Sequence, residues 1–175
     1  MKKYLLFTFT ILTINLLIAE DTALVSMKDV KKAEVWTVED KARIDFKERD
    51  FIKLDIPKSK DEISVLLNIK KINKCNWLEY NLLKLEIENT SKDNLTIKIV
   101  LERRALDDCL IQPENPRFDK ELTVNPGKNI FEIDVTGASR SANWPVNVEK
   151  LIFKFASSLK NREILIRNVR LEQCE

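Results

Sequence analysis

The chain contains no histidine at all. That excludes serine triads, cysteine–histidine pairs and most zinc or iron sites, which depend on imidazole as base or ligand. Two glycines in 175 residues leave no glycine-rich phosphate loop and no flexible or collagen-like stretch. No internal repeat, low-complexity run or interdomain linker is present either. Net charge is also scarce. The 30 Lys and Arg exceed the 28 Asp and Glu only by Lys2 and Lys3 at the N-terminus. Both signs interleave along the sequence instead of gathering into the basic face that a phosphate backbone requires, so nucleic acid is not the expected partner.

The long apolar run is at the start. Met1-Lys2-Lys3 precedes an uncharged stretch from Tyr4 to Ala19, and Glu20-Asp21 then turns polar. A basic head and a short apolar segment predict a signal peptide over residues 1–19, too short for a comfortable membrane span. Cleavage after Ala19 is the expectation, with an uncleaved anchor as the alternative, because Leu17 stands where a small residue is preferred. The expected mature chain is a single domain, residues 20–175, without a membrane span. Export to the periplasm or the outside of a bacterial cell is the expectation.

Within that domain, Trp77 to Glu102 dominates. Leu83, Leu85 and Ile87 alternate with Lys84, Glu86 and Glu88, and Leu95, Ile97, Ile99 and Leu101 alternate with polar partners. A period of two predicts strands with one buried face. The break Asn89 to Asn94 holds residues whose short side chains bond turn backbone. The stretch reads as a β-hairpin. Antiparallel pairing would then bring Cys75 and Cys109 to the end opposite its tip. A Cys75–Cys109 disulfide is the expectation in an exported chain, worth about 3–4 kcal/mol for a loop of about 34 residues. Three free thiols are the alternative. With the bridge formed, Cys174 is the odd one out, unpaired or bridged to another molecule.

Elsewhere, residues 23–27, 33–38, 42–46, 51–56 and 63–70 read as strands, with a Pro57 turn. Residues 103–120 read as a long loop, and such loops carry function or a disulfide. Glu121 to Val135 reads as strand, turn, strand, with Pro126-Gly127 suited to a type II turn in which glycine takes positive φ. Gly137 to Pro145 reads as a second long loop, and residues 151–155 and 163–172 as closing strands. About ten short strands without helical periodicity predict an all-β, antiparallel β-sandwich.

The succession Asn76-Trp77-x-x-Tyr80, Leu83-x-Leu85-x-Ile87-x-Asn89, Arg117-Phe118, Leu122 to Ile133 around Asn125-Pro126-Gly127, Val148-x-Lys150-Leu151 and Ile164 to Leu171 resembles the galactose-binding-like jelly rolls of bacterial carbohydrate-binding modules. The likeness spans roughly residues 23–172. It implies a jelly-roll β-sandwich, non-catalytic, that recognises polysaccharide. Many such modules hold a structural calcium, but Lys28 and Arg167 stand at the positions matching two of its ligands. A cation there repels calcium, so no metal and no cofactor are expected.

The carboxylates could in principle supply a glycosidase pair, yet no pair is singled out and most sit on solvated strand faces. An enzyme is not expected. Sugar binding uses aromatic faces and planar polar groups. The candidates are Trp77 and Tyr80 in the Cys75 loop, Arg104, Asp107, Asp108 and Arg117 in the loop leaving at the same end, and Trp144 in the other long loop. Several have a plainer reading: Trp77, Tyr80 and Trp36 suit core packing, the Arg103-Arg104 and Asp107-Asp108 pairs suit a solvated loop, and Trp144 suits either role. The expected partner is a polysaccharide or envelope glycan. The second hypothesis is an exported structural subunit that pairs with protein, which would use an apolar patch or an open sheet edge.

Overall fold

A computed structural model describes residues 22–25, 33–38, 41–47, 51–105, 117–136, 138, 140–141 and 144–173. The expected signal segment 1–19 and Asp107, Asp108, Cys109 and Cys174 lie outside the described residues. Alternation of apolar and polar residues builds twelve strands: β1 (Thr22–Val25), β2 (Trp36–Val38), β3 (Arg43–Asp45), β4 (Ile52–Ile56), β5 (Ile63–Asn68), β6 (Leu82–Asn89), β7 (Leu95–Ala105), β8 (Arg117–Val124), β9 (Gly127–Asp134), β10 (Arg140–Ser141), β11 (Trp144–Phe155) and β12 (Arg162–Glu172).

These form two antiparallel sheets. The first runs β3-β4-β12-β6-β9 with β1 beside β12, and the second runs β2-β5-β11-β7-β8 with β10 beside β11. The two orders correspond place by place, since each strand of one sheet is joined in sequence to the strand holding the same place in the other. The expected β-sandwich is therefore present, but the expected hairpin is not. β6 pairs with β12 and β9, while β7 pairs with β11 and β8. Residues 90–94 form an arch that carries the chain from one sheet to the other. Residues 125–126 do the same between β8 and β9, with Gly127 at φ 85° as its turn requires.

Between the sheets lies one core. Leu83, Leu85 and Ile87 of β6 face it, as do Ile97, Ile99 and Leu101 of β7, Leu151, Phe153 and Phe155 of β11, and Ile164, Ile166, Val169 and Leu171 of β12. Trp36 stacks on Phe153 at 6.3 Å and belongs to this core. Bulges between Val148 and Lys150 and between Ile166 and Asn168 shift the register. They let β11 and β12 keep apolar residues inward on both sides of a broken alternation. The expected loop over residues 137–145 is shorter than read, because β11 already begins at Trp144.

The two ends of the sandwich differ. At one end the arches 57–62, 90–94, 125–126 and 156–161 are short, and they are stitched together. Ser59 and Ser158 exchange backbone hydrogen bonds of 2.8 and 2.9 Å. Thr90 Oγ1 donates to the Glu163 carbonyl at 2.9 Å, Arg162 donates to the Asn94 carbonyl at 3.1 Å, and Lys58 N donates to Asn161 Oδ1 at 2.9 Å. At the opposite end lie residues 69–81, the last residues of β7 and β9 and the first residues of β8 and β11.

Candidate functional site

The open end is built on the segment after β5. A single 3-10 turn, Lys70–Ile72, ends at Asn73 in the left-handed region with φ 55°. The chain then crosses between the sheets and is clamped at both. Ile69 N donates to the Glu149 carbonyl at 2.8 Å, Val148 N donates to the Cys75 carbonyl at 2.9 Å, and Asn81 N donates to the Glu172 carbonyl at 3.0 Å. The clamp uses the bulge of β11, whose displaced backbone would otherwise lack partners.

Trp77 fills the space under this segment. It is 1% exposed, and its Nε1 donates to the Lys74 carbonyl at 2.9 Å. Tyr80 N donates to the Trp77 carbonyl at 3.1 Å, and the half-buried Tyr80 ring packs on the core. Both residues thus face inward from the strand entry, Trp77 completely and Tyr80 in part.

Cys75 is half-buried and a free thiol. The expected bridge to Cys109 is not formed, and its geometric premise is gone, because the strands following Cys75 and preceding Cys109 belong to different sheets. Burial pushes the thiol up from its ordinary value, and the Glu149 carboxylate adds to the effect.

β7 runs three residues beyond Glu102, so Arg103 and Arg104 stand on a strand and not in a loop. Arg103 continues the inward alternation after Leu101 and lies opposite the buried Val148. Its Nη1 donates to the Ala138 carbonyl at 3.2 Å, and burial lowers its pKa. Sequence reading placed Arg103 in the loop. The signal that could have found it is an alternation continuing into a cation. Arg104 pairs with Asn147, Arg117 with Glu102, and Trp144 with Ser141. Arg104 and Trp144 therefore border the open end through their backbones, and Arg117 is the first residue of β8 at that end.

The outer sheet faces offer a different chemistry. On the first sheet, Lys53 pairs with Glu163 and Asp55, Lys84 with Glu132 and Glu172, and Arg167 with Glu88 while lying 5.0 Å over the Phe51 ring. On the second, Leu66, Ile152 and Val100 form a cross-strand apolar row. It is flanked by the pairs Lys150–Glu102, Lys154–Glu62 and Lys98–Asp119. Among the described residues, Phe51 is the aromatic of these outer faces, and Arg167 already covers it. No cluster of His, Cys, Asp and Glu suited to a metal ion occurs among the described residues.

No protein-family model matches the sequence, and neither does any curated protein sequence. Solved structures do match. A family 11 carbohydrate-binding module from Clostridium thermocellum, solved with a β-1,3-1,4-mixed-linked tetrasaccharide, superposes with a TM-score of 0.59 at 12% identity. The match covers 86% of this chain and 94% of that one. The fold is that of the galactose-binding-like carbohydrate-binding modules. A second solved structure, of the family 11 carbohydrate-binding module of the cellulosomal cellulase Lic26A-Cel5E of Clostridium thermocellum, matches with a TM-score of 0.57 at 11% identity, over 89% of this chain and 96% of that one. An agarase matches with a TM-score of 0.64 at 12% identity over 89% of this chain, which spans 25% of the agarase. At such identities the likeness is one of fold.

Proposed function

We propose that this chain is an exported, non-catalytic domain that binds a polysaccharide at its open end, around the 106–116 connection. The observation that carries the reading is the fold likeness to a carbohydrate-binding module over nearly the whole of both chains. The charged outer faces support the choice of end. A pyranose needs an aromatic platform flanked by planar polar groups, and the described outer faces offer ion pairs, an aliphatic row and a Phe51 ring already under Arg167. Trp144, Arg104, Arg117, Asp107 and Asp108 are the residues assigned to the ligand. Tyr80 borders it, and Trp77 holds the segment beneath.

The test is migration of the protein through gels containing glucans, xylans, galactans or peptidoglycan, beside a Trp144→Ala variant. Retardation by one polymer, lost in the variant, is the expected result. Failure of every polymer to retard the protein overturns the reading.

A second reading, an exported subunit that pairs with protein, is favoured by one observation. β8 and β9, each eight residues long, end their sheets on the same side of the sandwich, and long open edges are pairing sites.

A further inference from the structure

The two lateral edges of the sandwich are unequal. One ends in β2 and β3, three residues each, while the other ends in β8 and β9. Natural sheets blunt their edges by shortness, proline or charge, and β2 and β3 follow that rule. β9 does not. It carries Ile130, which is 72% exposed, at the middle of its outer face.

Among the described residues no strand lies beyond β9, and the ladder with β6 fixes which backbone groups it leaves open there. Asn81 and Val135 extend the β6–β9 register, and Val135 N donates to the Asn81 carbonyl at 2.7 Å. Thr90 N, at the far end of β6, donates toward β12, to the Glu163 carbonyl. Odd-numbered residues of β9 therefore direct their N–H and C=O groups at β6. Lys128, Ile130, Glu132 and Asp134 direct theirs at the free edge.

We propose that two copies of this chain pair antiparallel along β9, with Ile130 opposite Ile130 of the second copy. In this register Lys128 of each copy faces Glu132 of the other, on the same outer face as the isoleucine pair. All three positions are hydrogen-bonded pairs, so the groups left open by β6 find partners. One exposed apolar side chain meets itself across a two-fold axis, and opposite charges flank it on both sides. The first sheet becomes continuous through both copies. Because paired strands run in opposite directions, the two open ends point away from each other, which suits a dimer that links two ligand chains.

Sedimentation equilibrium of the full chain tests the pairing independently of any sugar. The unsubstituted protein is expected to be a dimer. Lys128→Glu sets two carboxylates against each other at both ends of the contact and is expected to weaken the dimer roughly tenfold. Adding Glu132→Lys gives up the Lys84–Glu132 pair, with Lys84 still held by Glu172, but restores opposite charges across the axis and is expected to recover the dimer. Both positions are exposed, and far-UV circular dichroism verifies that the variants fold. A protein monomeric at every soluble concentration overturns the proposal. So does a dimer that Lys128→Glu leaves intact, or one that the double substitution fails to rescue.

Discussion

Asn89 donates its side-chain amide to the Val124 carbonyl at 3.1 Å, across 35 residues of sequence and at 1% exposure. The same Nδ2 donates to the Asp93 carbonyl at 2.9 Å, and Oδ1 accepts from Ser91 N and Oγ. One side chain thus shapes the arch from β6 to β7 and ties it to the end of β8. Asn89→Ala is expected to destabilise the fold by about 2–3 kcal/mol, because the buried Val124 carbonyl loses its side-chain donor and the arch loses the bonds from Ser91. Asn89→Asp keeps the shape and removes the donor, so it should cost at least as much. Urea denaturation checks both, and an unshifted midpoint in the alanine variant would contradict the role.

The same residue shows where sequence reading stopped. Leu83, Leu85 and Ile87 alternate identically whether the next strand lies beside them or across the core from them. Periodicity reports a buried face, and it does not name the neighbour on the other side of the turn. The strands and the turn at Gly127 were legible for that reason, and the arches were not. The start of β11 was hidden by its bulge. Val148 and Leu151 are both fully buried although three residues apart, a spacing that breaks a period of two. Trp144 consequently reads as a loop residue from sequence and opens a strand in the structure. Trp77 and Tyr80 were legible as a pair at the strand entry, but their burial follows from how residues 69–81 are clamped to Val148 and Glu149, contacts no local pattern encodes.

Acid is expected to weaken the closed and open ends together. Lys84 beside Glu172, Thr136 beside Asp134 and Lys160 beside Asp93 hold these carboxyls below their ordinary values of 4.5, 3.8 and 3.8. A depressed folded-state value means that the stabilisation is fully present above the ordinary value and is lost as pH falls through the depressed one. The thermal midpoint should therefore hold down to about pH 5 and decline below it. Lys84→Met should lower the midpoint slightly at neutral pH and shrink the drop between neutral and acid conditions. A midpoint that rises on acidification would contradict the assignment.

Cys75 should be a sluggish nucleophile. Burial and the Glu149 carboxylate both disfavour its thiolate, lifting the thiol above its ordinary 9.0, and the thiolate is the reactive form. Iodoacetamide labelling followed by peptide mass mapping is expected to show Cys75 alkylated slowly at neutral pH, with a titration midpoint above that value. Glu149→Gln removes the negative neighbour and should move the midpoint downward. Recovery of a Cys75–Cys109 linked peptide from the exported protein would instead show that oxidation rebuilds the Cys75 segment.

Trp77 separates support of the proposed binding end from contact with a ligand. Its indole is 1% exposed and hydrogen-bonded to the Lys74 carbonyl. Trp77→Ala would open a large cavity under residues 69–81 and is expected to cost about 3–5 kcal/mol. Trp77→Phe keeps an aromatic ring and loses the hydrogen bond, for about 1 kcal/mol. A buried ring cannot stack on a sugar, so the phenylalanine variant should migrate in polysaccharide gels as the unsubstituted protein does, while Trp144→Ala does not. Denaturation midpoints measured on the same samples tell lost binding from lost folding. If Trp77→Phe abolished retardation at an unchanged midpoint, the indole would have to turn outward in the complex, and the 69–81 segment would be part of the binding surface and not its foundation.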